Sequence, residues 1–138
     1  MYEKMLVAVD QSEYSDRAVD VARDLAHASG AEVLVLHVKK MVLVVSGDLL
    51  DAEDESEVMK LLDKDARRFE EIGVPVSVQV RTAEIGRTAH QIVAAATEFG
   101  ADAISMGSRG RSALTALVLG SVAQGVLHLA DKRVLVVH

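Results

Sequence analysis

Residues 5–38 read MLVAVDQSEYSDRAVDVARDLAHASGAEVLVLHV, and their pattern is typical of one structural unit. Short β-branched runs at 5–9 and 32–38 predict two strands. Between them, Ala18, Val21, Ala22, Leu25 and Ala26 recur at the spacing of one helix face, and Gly30 follows as a helix stop. A helical crossover of this length joins strands that pair in parallel, so the stretch predicts a βαβ unit.

The remainder of the chain repeats this alternation. Further strands are predicted at 75–80, 102–106 and 133–137. Apolar residues at helical spacing predict three more helices. The inward-facing residues are Val58, Leu61, Leu62, Ala66, Phe69 and Ile72 in the second helix, Ala89, Ile92, Val93 and Ala96 in the third, and Val122, Val126, Leu127 and Ala130 in the fourth. Ser121 is predicted to cap the fourth helix. Five strands alternating with helices predict one α/β domain over residues 1–138, a doubly wound, open parallel sheet with helices on both faces.

Residues 39–58, KKMVLVVSGDLLDAEDESEV, are the irregular part of this pattern. We interpret MVLVV as a packed excursion or a contact surface, with a sixth strand as the alternative. The acidic run DAEDESE is interpreted as a solvated helix start, because acidic side chains stabilise a helix N-terminus.

Composition excludes several classes of function. The 138 residues carry a net charge of −6, half of them are hydrophobic, and none is cysteine. The negative net charge argues against a general binding surface for nucleic acids or anionic membranes, because such a surface must be positively charged. The chain has neither a span of about 18 apolar residues nor a signal-peptide pattern, so we expect a cytoplasmic protein without disulfides or thiol chemistry.

The stretch GSRGRSALTALVLGS, residues 107–121, is the candidate functional loop. Gly107 and Gly110 follow the predicted fourth strand, and Gly120 and Ser121 directly precede the fourth helix. Glycines after a parallel strand let the backbone approach a phosphate, and the next helix offers its free amides to the anion. Arg109 and Arg111 would offset phosphate charge. The alternative is purely structural: two glycines that turn the chain and a Gly-Ser pair that caps the helix.

The same residues resemble a known family. MGSRG followed by GSVAQGVLHLADKRVLVV is similar to the universal stress protein signature, whose nucleotide-binding branch carries G-x-x-G-x9-G-[ST]; MLVAVDQSEYSDRAVDVA, VLVLHV and GADAISMGSRG extend the likeness over nearly the whole chain. The resemblance implies a Rossmann-like sheet of the adenine nucleotide alpha hydrolase type with strand order 3-2-1-4-5. Gln11, Ala123 and Arg133 depart from residues frequent in the family.

The resemblance also implies a site for ATP. Asp10 would accept hydrogen bonds from the ribose or adenine, although it could instead cap the first helix unless Ser12 or Ser15 does so. The remaining residues implied are Ala8, Val9, Val38 and Met106 around the adenine, and Gly107, Arg109, Gly110, Gly120, Ser121, Val122 and Ala123 around the phosphates. Mg²⁺ would arrive with ATP, held by phosphates and water.

Catalytic machinery is not evident in the sequence. It has no G-x-x-x-x-G-K-[ST] motif, and its five histidines lack ligand spacing, so each is interpreted as structural. We therefore predict a nucleotide-dependent regulatory protein without catalytic or metal-ligating residues. The alternatives are a slow ATPase or self-phosphorylating protein using Ser112, Thr115 or Ser121, and an interaction protein with an empty site. The family resemblance implies a homodimer through Arg133 to His138.

Overall fold

The computed structural model describes residues 1–43, 46, 47, 49–51, 53–109 and 119–138, and residues 42, 43 and 49–51 are described as backbone alone. In order along these ranges, the elements are β1 (Lys4–Ala8), α1 (Glu13–Ser29), β2 (Glu32–Leu43), β3 (Leu49–Asp51), α2 (Glu55–Glu70), β4 (Val76–Ala83), α3 (Thr88–Phe99), β5 (Ala103–Gly107), α4 (Ser121–Leu129) and β6 (Arg133–Val137). The predicted alternation of strand and helix is confirmed.

The main sheet is parallel, in the order β4, β2, β1, β5, β6. With the short β3 left out of the numbering, this is the predicted order 3-2-1-4-5. In the central strand, Val7 pairs with Val35 on one side and with Ser105 on the other. From β1 the chain runs outward through β2 to β4 on one side, and it then returns to form β5 and β6 on the other side of β1. This reversal of direction opens a crevice at the carboxyl ends of β1 and β5.

Two apolar layers hold the helices against the sheet. On one face, Val19 and Ala22 of α1 and Leu62 and Phe69 of α2 are buried against Met5 and other side chains of the sheet. On the other face, α3 and α4 pack around Leu6 and Ile104. Val21 and Leu25 are only partly buried, so the inward stripe of α1 is rotated from the predicted one. A bilayer crossing would require a longer and more apolar helix than any found in the described ranges.

The interpretation of MVLVV as a packed excursion is wrong for its first three residues, Met41–Leu43. They continue β2 and pair antiparallel with β3, where Met41 lies opposite Asp51 and Leu43 opposite Leu49. A β-branched run favours a strand once a partner is available, and Gly47 supplies the positive φ (88°) that the intervening turn needs. The last two valines lie outside the described residues.

The helix starts refine two further expectations. Asp54 caps α2, accepting a hydrogen bond from the Ser56 amide that lowers the pKa of its carboxyl, so the acidic run opens a helix as expected. In α4 the capping residue is Gly120, and Ser121 is the first helical residue, contrary to prediction. Leu127 is 47% exposed and does not face inward, because α4 approaches α3 through Gly125, which packs against Ala89.

One buried acid lies in the core-facing stripe of α2. Asp65 is fully buried, and neither carboxylate oxygen has a hydrogen-bond partner among the described residues. The nearest cation, Arg68, stands 3.8 Å from Asp65 Oδ1 and is itself paired with Asp20 of α1. Burial raises the pKa of Asp65 to about 6, since the ionised form is poorly solvated there.

Candidate functional site

A cavity of about 560 Å³ lies at the carboxyl ends of β1 and β5, beside the middle of β2. Residues 8–10, at and after the end of β1, line it, as do residues 120–123 at the start of α4. Thr88 and Ile92 of α3 also line it. Its volume is within the range of small-molecule sites, and its position is where open parallel sheets bind their ligands.

The structure brings together every predicted site residue that it describes. These are Ala8, Val9, Asp10, Val38, Met106, Gly107, Arg109, Gly120, Ser121, Val122 and Ala123, all of which line the cavity. Gly110 lies outside the described residues, as do Arg111, Ser112 and Thr115. The shared position of the eleven is a geometric result; their contacts with a ligand stay a prediction.

Asp10 lies two residues after β1 and does not cap α1. Its Oδ1 accepts a hydrogen bond of 2.7 Å from the Ser12 amide, and its own amide donates to Ser15 Oγ at 2.9 Å. Ser12 is the helix cap, accepting from the Ser15 amide at 3.2 Å. These bonds hold the Asp10 carboxylate at the cavity, and the capping role that could have explained it belongs to Ser12.

Gly107 brings the end of β5 into direct contact with α1. A Cβ on this residue would lie 2.7 Å from Tyr14 Cβ and 2.9 Å from the Tyr14 carbonyl carbon. Such separations are below the contact distance of carbon atoms, so no larger residue fits unless α1 moves. The sequence suggested that this glycine leaves room for a phosphate, whereas the described contact is with the first turn of the helix.

The two ends of the glycine loop meet although the residues between them are not described. The Gly120 amide donates to the Ser108 carbonyl at 2.7 Å, and the Ser108 amide donates to the Val137 carbonyl, also at 2.7 Å. The start of α4 is thereby fixed beside β5 and β6. The first amides of a helix have no intrahelical acceptor, so those of Ser121, Val122 and Ala123 form a partial positive charge at the cavity wall.

A buried histidine joins the lining of the cavity to the β2–β3 hairpin. His37 is 5% exposed; its Nδ1 lies 2.7 Å from the Val9 carbonyl oxygen and its Nε2 lies 2.7 Å from Glu53 Oε1. Glu53 also accepts a hydrogen bond of 3.2 Å from the Lys40 amide. Both ring nitrogens of His37 therefore lie within hydrogen-bond distance of an oxygen atom. His37 makes these two contacts within the protein and also lines the cavity, and its purely structural role stays a prediction.

Sequence reasoning missed several lining residues. They are Ser12, Ser15, Leu36, His37, Lys40, Glu53, Thr88, Ile92 and Ser108. Leu36 and His37 directly precede Val38, and Ser108 lies inside the glycine motif, so their positions at strand ends could have identified them. Glu53 belongs to an acidic run that helix capping already explained, and only the hairpin places it at the cavity.

Comparison with known proteins gives consistent results. The model of the universal stress protein family matches residues 1–138. The universal stress protein YxiE of Bacillus subtilis is 34% identical, with 99% of each chain covered. Among solved structures, a universal stress protein of Archaeoglobus fulgidus superposes with a TM-score of 0.77 at 27% identity over the whole of both chains. A second Archaeoglobus fulgidus structure, described as a complex with dAMP, has a TM-score of 0.75 at 25% identity and covers 99% of this chain and 98% of that one.

Proposed function

The chain belongs to the universal stress protein family, and on this premise we propose that it is a regulatory module of the stress response whose state depends on a bound adenine nucleotide, ATP above all. The observation that carries the proposal is the cavity, which collects Asp10 and the ends of the glycine motif at one place in the sheet. The dAMP bound to a solved relative supports the same class of ligand.

The cavity offers different surroundings to the parts of a nucleotide. Ala8, Val38 and Met106 provide an apolar wall for the base, and the Asp10 carboxylate can accept hydrogen bonds from ribose hydroxyls. The phosphates would lie at the start of α4, where backbone amides and Arg109 oppose their charge. Mg²⁺ would be held by phosphate and water, since no group of three or more metal-ligating side chains occurs among the described residues.

Replacing Ser121 with aspartate is expected to weaken ATP binding at least tenfold. Ser121 is exposed at the first position of α4, where a carboxylate stabilises the helix but repels a phosphate, so folding and binding should respond in opposite directions. Calorimetric titration of the purified chain with ATP and with adenosine measures the effect. Adenosine, which has no phosphate, should bind the variant as it binds the wild type.

The matched control is Ser121→Asn, which has nearly the same shape without the charge and should keep ATP affinity within about threefold, since main-chain amides dominate anion binding at a helix start. Equal ATP affinities for the aspartate and asparagine variants would show that the phosphates do not bind at the start of α4. A wild-type chain that takes up no adenine nucleotide, in titration or in native mass spectrometry, would overturn the proposal itself.

We further propose that the chain forms a homodimer through β6. This strand is an edge of the sheet, and the adjoining helix α4 exposes Leu127 and Leu129 at 47% and 38%. An apolar edge strand favours pairing with a second copy. Sedimentation at micromolar concentration is expected to show a dimer that Leu127→Lys weakens. Ile85→Lys is the control, since Ile85 is 75% exposed after β4 at the opposite edge; a wild-type monomer would contradict the prediction.

A further inference from the structure

Arg109 is held at the cavity by an aromatic ring. Its guanidinium carbon lies 4.1 Å from the centroid of the Tyr14 ring, well inside the range of a cation–π contact. Tyr14 belongs to the first turn of α1, and the close approach of Gly107 to Tyr14 Cβ fixes the distance between this helix and β5. The ring therefore belongs to α1 and the guanidinium to the residues that follow β5, and these two elements are in direct contact at Gly107.

Of the described residues that line the cavity, Arg109 is the cation nearest the proposed phosphate position. Among the described lining residues, Lys40 and Arg109 carry permanent positive charge. Lys40 extends from β2, which lies two strands from β5, roughly 10 Å across the sheet. Arg109 is the second residue after β5. The carbonyl of Ser108 beside it accepts a hydrogen bond from the Gly120 amide, so Arg109 is close to the start of α4.

We propose that Tyr14 is a positioning residue for the phosphates: its ring holds the Arg109 guanidinium facing the start of α4 before the ligand binds. The inference rests on the proposed function, because it concerns how Arg109 is positioned at the phosphate end of that nucleotide site. An aromatic ring attracts a guanidinium electrostatically through its π electrons and so restricts where the arginine head lies. An arginine ordered in advance loses less rotamer freedom when it meets an anion.

A second arginine near the same ring serves as a built-in control. The Arg17 guanidinium carbon is 5.3 Å from the Tyr14 ring centroid, and Arg17 is exposed and paired with Glu13 at 3.6 Å. It does not line the cavity. Removing Arg17 therefore changes the charge around Tyr14 without changing the cavity, whereas removing Arg109 changes both.

The test is a double-mutant cycle on the full chain, read by calorimetric titration with ATP and with adenosine. Tyr14→Leu keeps the Cβ that Gly107 contacts and removes the ring; we expect about fivefold weaker ATP binding and unchanged adenosine binding. Tyr14→Phe, which keeps a ring, should retain ATP affinity within twofold. In an Arg109→Gln background Tyr14→Leu should have no further effect, and Arg17→Gln alone should have none.

The possible results separate this inference from the function on which it rests. Equal losses for ATP and adenosine in Tyr14→Leu would show a merely structural role and overturn the inference, as would full ATP affinity in that variant. An undiminished effect of Tyr14→Leu when Arg109 is already glutamine would do the same. If the wild-type chain bound no nucleotide, that result would overturn the proposed function and, with it, this inference.

Discussion

Gly107→Ala is expected to lower the free energy of unfolding by about 3 kcal/mol, the upper part of the range for overpacked sites. The added methyl group would meet Tyr14 Cβ at 2.7 Å and the Tyr14 carbonyl carbon at 2.9 Å. These atoms belong to the helix itself and its first side-chain carbon, so rotation of a side chain cannot relieve the contact. The first turn of α1 must move away from β5, and denaturant unfolding of both proteins measures the difference.

Ser108→Ala is the matched control for this prediction. Ser108 is the next residue along the chain and is also buried, but its hydroxyl has no hydrogen-bond partner among the described residues. Its removal should leave stability unchanged or raise it slightly. If the free energy of unfolding of Gly107→Ala were within about 0.5 kcal/mol of the wild-type value, the close approach of β5 to α1 would be refuted.

Asp65→Asn is expected to stabilise the protein at pH 7.5 by up to about 3 kcal/mol, which corresponds to roughly 10 °C in melting temperature. Burial raises the pKa of Asp65 from 3.8 to about 6. Between these two pH values the folded state holds a proton that the unfolded state has lost. The free energy of unfolding of the wild type therefore falls as the pH rises from about 4 to about 6, and stays low above that.

The pH dependence distinguishes charge burial from other effects of the substitution. Most of the advantage of Asp65→Asn should be lost near pH 4, where Asp65 is protonated in the folded state and about half protonated in the unfolded state. Asp63→Asn, on the exposed face of the same helix, makes the same change in charge and should leave stability nearly unchanged. Thermal unfolding of the three proteins between pH 4 and 8 measures these differences. A stabilisation by Asp65→Asn that is equal at pH 4 and pH 7.5 would contradict the assignment.

The sequence predicted the sheet well because its signals are local and periodic. Runs such as residues 32–38 specify strands by composition, and the connecting helices leave parallel pairing as the available arrangement. The site residues were implied by the family resemblance rather than by these local patterns. The strand order then brings Asp10 and Val38 to the same cavity as Met106 and the described ends of the glycine motif, although both are far from that motif in the chain.

What escaped prediction depends on contacts between distant segments. Asp65 occupies a core-facing position of α2, but a carboxylate carries no apolar signal and was left out of the predicted stripe. Glu53 reaches His37 only because β2 and β3 form a hairpin. The contact of Gly107 with Tyr14 likewise requires the packing of α1 on β5, which no local pattern specifies.

The central position of β1 has a consequence for the protein during its synthesis. Met5 pairs with Val33 on one side, whereas its partner on the other side is Ala103. A ribosome that adds about 5 to 20 residues per second needs on the order of 5 to 20 s to proceed from β1 to β5. Throughout that interval β1, whose Met5, Leu6 and Val7 are fully buried in the finished protein, has one unpaired edge. The growing polypeptide therefore passes through a stage in which a chaperone has a binding site that the finished protein conceals.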